Sequence, residues 1–143
     1  MKPTRYLDTS IVLETVIKNA PEKENCQKIL QAIGDQSQPA VISNFNISEL
    51  FHILLQRENF SLKFVNDFIE KLICLPGLRI EEVSQEMLLE AINISTKFEI
   101  DLADACAITL MRKHKIKEIY ARDEHFDRFK EIQRLIKIPV NHF

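Results

Sequence analysis

Residues 5–11 read Arg5-Tyr6-Leu7-Asp8-Thr9-Ser10-Ile11. A short apolar run stops on an aspartate and two hydroxyl residues. Runs of this kind, bounded by turn formers, read as buried strands. Four more occur further along: Ala40-Val41-Ile42, Leu78-Arg79-Ile80, Ile119-Tyr120-Ala121 and Ile138-Pro139-Val140. Between them apolar residues recur at helical spacing. Cys26, Ile29, Leu30 and Ile33 form one stripe, Ile47, Leu50, Phe51 and Leu54 a second, and Val65, Phe68, Ile69 and Leu72 a third. Leu88, Ala91 and Ile92, with Phe98, mark a fourth helix, and Leu102, Ala105, Cys106 and Thr109 a fifth. Short strands alternating with helices predict an α/β fold in three layers, with a central parallel sheet and helices on both faces. Pro39 precedes the second strand and Pro76-Gly77 the third. Pro139 has no backbone donor, which predicts that the last strand lies at a sheet edge.

The chain has 143 residues, a length that fits one domain, and no linker or repeat divides residues 1–143. Hydrophobic residues make up 45%, enough to exclude a disordered chain. Apolar runs such as Ile53-Leu54-Leu55 are too short to span a bilayer, so no membrane partner is expected. The N-terminus lacks the apolar stretch of a secretory signal. Cys26, Cys74 and Cys106 are odd in number and form no CxxC, which argues against a disulfide framework or a thiolate zinc site. The expected compartment is the cytoplasm. The net charge of −2 hides an asymmetry. Residues 112–137 hold nine basic groups against five acids, and the preceding residues are net acidic. That segment is either an ordinary solvated surface or a basic rim for a polyanion near an acidic centre.

In open parallel sheets, ligands bind beyond the carboxyl ends of the strands. Asp8 follows the first strand directly. Glu49 lies early in the helix after the second. Asp101 and Asp104 open the helix leading to the fourth strand, and Asp123 follows that strand in Ala121-Arg122-Asp123-Glu124-His125-Phe126. Carboxylates gathered at one place repel one another and need a compensating cation. An oxygen-only set suits Mg²⁺ or Mn²⁺, and the chemistry such a site supplies is metal-assisted phosphodiester hydrolysis. Each acid also has a structural reading. Asp8 caps a helix starting near Thr9, Glu49 partners an Asn46 cap, Asp101 and Asp104 support a helix start, and Asp123 sits in a turn. Four acids after three strands exceed what capping alone requires.

The segments Leu7-Asp8-Thr9-Ser10, Ile47-Ser48-Glu49-Leu50, Asp104-Ala105-Cys106-Ala107-Ile108 and Arg122-Asp123-Glu124-His125-Phe126 together resemble the four motifs of the PIN domain family, in order and over nearly the whole chain. The resemblance implies a sheet ordered 3-2-1-4-5, with the first and fourth strands adjacent, so that Asp8 and Asp123 meet. It implies a metal-dependent ribonuclease whose products carry 5′-phosphate and 3′-hydroxyl ends, and many small members are VapC-type toxins of toxin–antitoxin pairs. Asp8, Glu49, Asp104 and Asp123 match the family's acids, and Ser10 the small polar residue that supports the first. Many members carry Thr or Ser two residues before the fourth acid, where this chain has Ala121. Asp101 is an additional acid that either ligates an ion or caps the helix. Expected partners are an RNA substrate, an antitoxin protein and further copies of the chain in a homodimer or higher oligomer. Arg112, Lys113, Arg122 and Arg128 are the candidates for holding the RNA backbone. The alternative is a PIN-like module that binds RNA or protein without catalysis.

Other chemistries find little support. His52, His114, His125 and His142 form no ligand-spaced cluster. Gly34 and Gly77 are isolated, so no phosphate-cradling loop exists. Asp8-Thr9-Ser10 has a serine where a phosphoaspartyl enzyme has its second aspartate, which argues against a covalent aspartyl intermediate.

Overall fold

Tyr6 and Leu7 are consecutive and both fully buried, which requires cover on both faces of their strand. The computed structural model describes residues 2–140 and shows that cover. Five strands, β1 (Arg5–Leu7), β2 (Ala40–Ser43), β3 (Leu78–Glu81), β4 (Glu118–Tyr120) and β5 (Gln133–Leu135), form one sheet. Its order is β3-β2-β1-β4-β5 and every pairing is parallel. The helices are α1 (Thr9–Glu14), α2 (Lys23–Gly34), α3 (Asn44–His52), α4 (Leu62–Ile73), α5 (Gln85–Phe98) and α6 (Leu102–His114).

Two apolar layers sandwich the sheet. Tyr6, Val41 and Ile119 pack with α5 and α6. Leu7, Ala40 and Tyr120 pack with residues of α1, α2, α3 and α4. Alternation along each strand therefore assigns successive side chains to opposite cores. Serines set three of the helix starts: Ser43, Ser61 and Ser84 accept from the backbone N–H groups of Asn46, Phe64 and Met87 at 2.9, 3.1 and 3.3 Å. Ser43 is both the last residue of β2 and the cap of α3, so α3 begins without a loop. Gly77 admits no side chain, because a Cβ there would collide with the Ile33 carbonyl, whose oxygen accepts the Gly77 N–H at 2.9 Å. That contact fixes where β3 begins.

Three expectations from the sequence need correction. The last strand is Gln133–Leu135, and Ile138-Pro139-Val140 is irregular. Gln133 donates to the Lys117 carbonyl at 2.8 Å and the Leu135 carbonyl accepts from Ala121 at 3.1 Å. A strand with one neighbour needs no continuous apolar run, so Gln133-Arg134-Leu135 carries no strand signal of its own. The edge position expected for the last strand is the one β5 occupies. In α5 the buried residues are Met87, Ala91 and Ile94, while Ile92 is exposed. In α6 every residue from Ala103 to Met111 is buried, because the helix is enclosed on nearly all sides rather than along one stripe. His142 lies outside the described residues.

Candidate metal centre

The sheet order places β1 beside β4, so the chain leaves both strands at the same point. Asp8 extends that pairing, its N–H donating to the Tyr120 carbonyl at 2.9 Å. Asp8 also caps α1. Its Oδ2 accepts from the Ser10 N–H at 3.1 Å and the Ser10 hydroxyl at 2.6 Å. The Ser10 oxygen in turn accepts from the Arg122 N–H at 3.0 Å. One serine thus fixes Asp8 and ties it to the segment carrying Asp123. The other oxygen of Asp8, Oδ1, is buried and has no hydrogen-bond partner.

Glu49 reaches the same place from α3. Asn46, one turn earlier, donates from Nδ2 to Glu49 Oε1 at 3.4 Å. Asn46 is itself held by the buried Tyr6 hydroxyl, which donates to its Oδ1. Ser43, rather than Asn46, is the cap of this helix, so the Asn46–Glu49 capping box foreseen in the sequence does not form. Asp104 lies in the first turn of α6 and is 6% exposed, whereas Asp101 is exposed at the N-cap position and makes no side-chain cap bond. Capping by the Asp101 side chain, one of the two readings the sequence offers, is therefore absent. Asp104, Asp123 and His125 each present a donor atom, all within 4.8 Å of one another, and His125 Nε2 lies 3.8 Å from Asp104 Oδ2.

A cavity of about 290 Å³ collects Asp8, Glu49, Asp101, Asp104, Asp123 and His125, with Ser10 and Arg57 also on its wall. The RNA-holding candidates scatter by comparison. Arg112 and Lys113 lie near the other end of α6, eight or nine residues beyond Asp104 and so roughly 12 Å along the axis. Arg112 is bound to Glu131 at 2.9 Å. Arg122 borders a neighbouring cavity but is engaged by Glu14. Arg128 is exposed and lines neither cavity. Arg134 is likewise bound to Asp127 at 3.0 Å, so three arginines of the basic C-terminal segment are already engaged by acids. Three residues at or beside the site have little or no signal in the sequence. His125 arrives through a 3₁₀ turn at Glu124–Arg128, Arg57 through a π-helical turn at Ile53–Arg57, and Glu14 is a buried acid ending α1. Glu14 alone leaves a trace: an acid that follows the apolar run Ile11-Val12-Leu13.

The electrostatics are those of crowded, dehydrated carboxylates. Burial chiefly, with the negative charges of Asp123 and Glu49 added, pushes Asp8 up to about 7 despite the two bonds from Ser10. Burial, then the charges of Asp8, Asp123, Glu49 and Asp101, pushes Asp104 up to about 8. Burial raises Glu49 as well. The residues fit a divalent cation. The donors are mainly carboxylate oxygens, which suit a hard ion. A buried oxygen of Asp8 lacks a partner, and a cation would relieve the repulsion that shifts these acids.

These shifts fix the sign of a pH dependence. Above the ordinary aspartate range near 4, an unfolded chain releases protons that folded Asp8 and Asp104 retain until about pH 7 to 8. The folded state binds more protons across that window, so metal-free stability falls as pH rises. The melting temperature of the EDTA-treated protein should therefore be higher near pH 5 than near pH 8. Saturating Mn²⁺ should shrink the difference. A flat metal-free profile across the window would mean that these carboxylates are not crowded as described.

The relatives agree with this architecture. The family model for the PIN domain matches residues 5–132. No curated protein matches the chain. Among solved structures, similarity extends to the sarcin–ricin loop cleaving toxin VapC20 of Mycobacterium tuberculosis, with a TM-score of 0.73 and 18% identity over 90% of this chain and 95% of that one. VapBC2 of Rickettsia felis, bound to a DNA fragment from its promoter, gives 0.68 and 13% over 93% and 98%. DNA-bound VapBC of Salmonella typhimurium gives 0.67 and 15% over 94% and 98%. At such identities these likenesses establish the fold. The family model covers most of the chain, from β1 through β4 and all six helices, and on that ground the chain belongs to the PIN domain family.

Proposed function

We propose that residues 1–143 form a single Mg²⁺- or Mn²⁺-dependent endoribonuclease domain that acts as the toxin of a toxin–antitoxin pair. The observation that carries this reading is the convergence of acids from four separate segments on one cavity, where a buried Asp8 oxygen lacks a partner. Asp8, Glu49, Asp104 and Asp123 would hold the cation, with Asp101 at the rim. When bound, a divalent cation supplies Lewis acidity toward a phosphoryl oxygen and lowers the pKa of an attacking water. The chain's own residues arrange the rest. Ser10 fixes the rotamer of Asp8 and the approach of the Arg122–Asp123 segment. Tyr6 and Asn46 orient Glu49. Such supporting bonds set ligand geometry and contribute substantially to affinity. Ala121 offers no hydroxyl to this support, and Ser10 meets the same stretch of backbone through the Arg122 N–H.

A protein partner is supported by the VapBC complexes among the structural relatives. The partners proposed here are an RNA substrate, an antitoxin and a second copy of the chain in a homodimer or higher oligomer. Among the described residues no helix is long and apolar enough to cross a membrane. The proposed compartment is the cytoplasm.

The direct test is cleavage of single-stranded RNA by purified protein in Mn²⁺ or Mg²⁺, with EDTA as the control and the product ends mapped. Endonucleolytic cleavage lost on chelation and leaving 5′-phosphates is expected. A companion measurement needs no substrate. Because bound ligand stabilises the folded state by mass action, millimolar Mn²⁺ should raise the melting temperature. Asp8→Asn should blunt that rise. An inactive binding module that has lost its metal would show neither the shift nor the cleavage.

A further inference from the structure

Immediately after α3 the chain tightens no further but widens, and Ile53–Arg57 forms a π-helical turn. Such turns are rare and are found frequently at functional sites. This one brings both of its ends, Ile53 and Arg57, to the wall of the acidic cavity. Arg57 also lines a second cavity of about 440 Å³, together with Lys18 and Arg122. The two cavities share Ser10, Leu13, Arg57 and Asp123, so they are adjoining parts of one groove. Their charge differs. In the second, three cations face two acids, Glu14 and Asp123. Glu14 is buried and already engages Arg122. Among the described residues Arg57 is paired only with its neighbour Glu58, at 3.3 Å, and its side chain is 63% exposed. An exposed pair of that kind holds its members weakly and exchanges readily for a stronger anion. Lys18 is exposed and makes no ion pair among the described residues.

An acidic cavity alone repels a nucleic acid, and a bound cation offsets only part of that repulsion. A strand needs positive charge beside the reacting phosphate, and Arg and Lys contacts to phosphates supply most sequence-independent affinity. We propose that Arg57 and Lys18 hold the phosphate adjacent to the one presented to the carboxylates, so that the RNA strand runs from the acidic cavity into the basic one. The inference rests on the nuclease reading above and adds the path of the substrate to it. Arg57, standing on the wall of both cavities, marks the step from one phosphate to the next. Its planar fork can take a phosphate in bidentate fashion.

The test is equilibrium binding of a fluorescein-labelled single-stranded RNA, read by anisotropy in Mg²⁺ across a salt titration. All arms carry Asp8→Asn, whose expected inactivity keeps the RNA intact. Arg57→Gln and Lys18→Gln should each weaken binding roughly tenfold at low salt. Each should also reduce the slope of log affinity against log salt by about 0.7, the value for one lost contact to a single strand. Arg57→Lys should keep the slope, because it keeps the charge. Lys117→Gln removes the same charge just before β4, at the opposite end of the sheet, and should change neither quantity. If the Asp8→Asn chain binds RNA and both variants bind it with unchanged affinity and slope, the proposed path is wrong while the nuclease reading stands. If that chain binds no RNA at all, the path is again overturned, and cleavage of the same RNA by the unmutated protein decides the nuclease reading separately.

Discussion

Asp8→Asn should leave a folded protein that no longer cleaves RNA, with activity reduced by at least roughly a thousandfold. The magnitude reflects the charge that the substitution removes. Positioned charge around a cation is worth several kcal/mol in the transition state, and each 1.4 kcal/mol is about tenfold in rate. The side chain is 2% exposed and held on one oxygen only, by the amide and hydroxyl of Ser10. An asparagine can keep that arrangement, with its carbonyl accepting both bonds and its amide group facing the remaining carboxylates. The fold therefore has no reason to fail. Without metal it should melt higher than the unmutated protein, because one of several mutually repelling charges is gone. Ser10→Ala makes a graded comparison. It leaves all four acids in place and removes the hydroxyl that orders Asp8 and receives the Arg122 N–H. Loss of such a support typically costs about 10- to 100-fold in affinity or activity. Cleavage assays beside thermal melts check both variants. Wild-type cleavage by Asp8→Asn, with contaminating nuclease excluded by a mock purification, would end the assignment of this cavity as the active site.

The strands β1 to β4 are legible because each carries apolar residues between turn formers: β1 and β2 are buried on both faces, and the edge strand β3 keeps Leu78 and Ile80 on either side of an exposed Arg79. β5 is not, because an edge strand tolerates Gln133 and Arg134 in a way a central strand does not. The acids are legible for a related reason: strand ends are visible, and in this topology strand ends converge. The competing cap reading of Asp8 proves to be compatible with the ligand reading, since one oxygen caps α1 and the other remains bare. His125 and Arg57 are illegible. Each depends on a turn of non-α geometry, and a π turn shifts the downstream residues by about one position relative to the helical period. Hydrophobic spacing averages over such a shift. The pairing of Glu14 with Arg122 joins residues far apart in the chain, and no local pattern reports it. The same is true of the separation of Arg112 and Lys113 from the acids: they close α6, while Asp104 lies in its first turn.

Asp104→Asn should abolish cleavage, and Asp101→Asn should retain most of it, although the two acids sit three residues apart at the start of one helix. Both add negative charge at a helix N-terminus, where it is mildly favourable, so sequence position does not separate them. Burial does. Asp104 is enclosed, its carboxyl is pushed up to about 8, and His125 and Asp123 face it. Asp101 stands in solvent at the rim of the cavity with no cap bond. Asparagine at position 104 loses the charge a hard cation requires while keeping the shape of the side chain. In the absence of metal it should raise the melting temperature, since the repulsion felt by Asp8 and Glu49 falls. The outcome at position 101 distinguishes rim from ligand. A capping aspartate replaced by alanine costs about 1 kcal/mol. Because no cap bond is present, Asp101→Ala should cost less than that. Cleavage measured across a Mn²⁺ titration, with melts of all three variants, reads both effects together. A rim acid that only concentrates cations would show an activity recovered at higher Mn²⁺, whereas a lost ligand would not be rescued. Were Asp101→Asn dead and Asp104→Asn active, the ligand from α6 would be Asp101, and the buried Asp104 would be reduced to supporting His125.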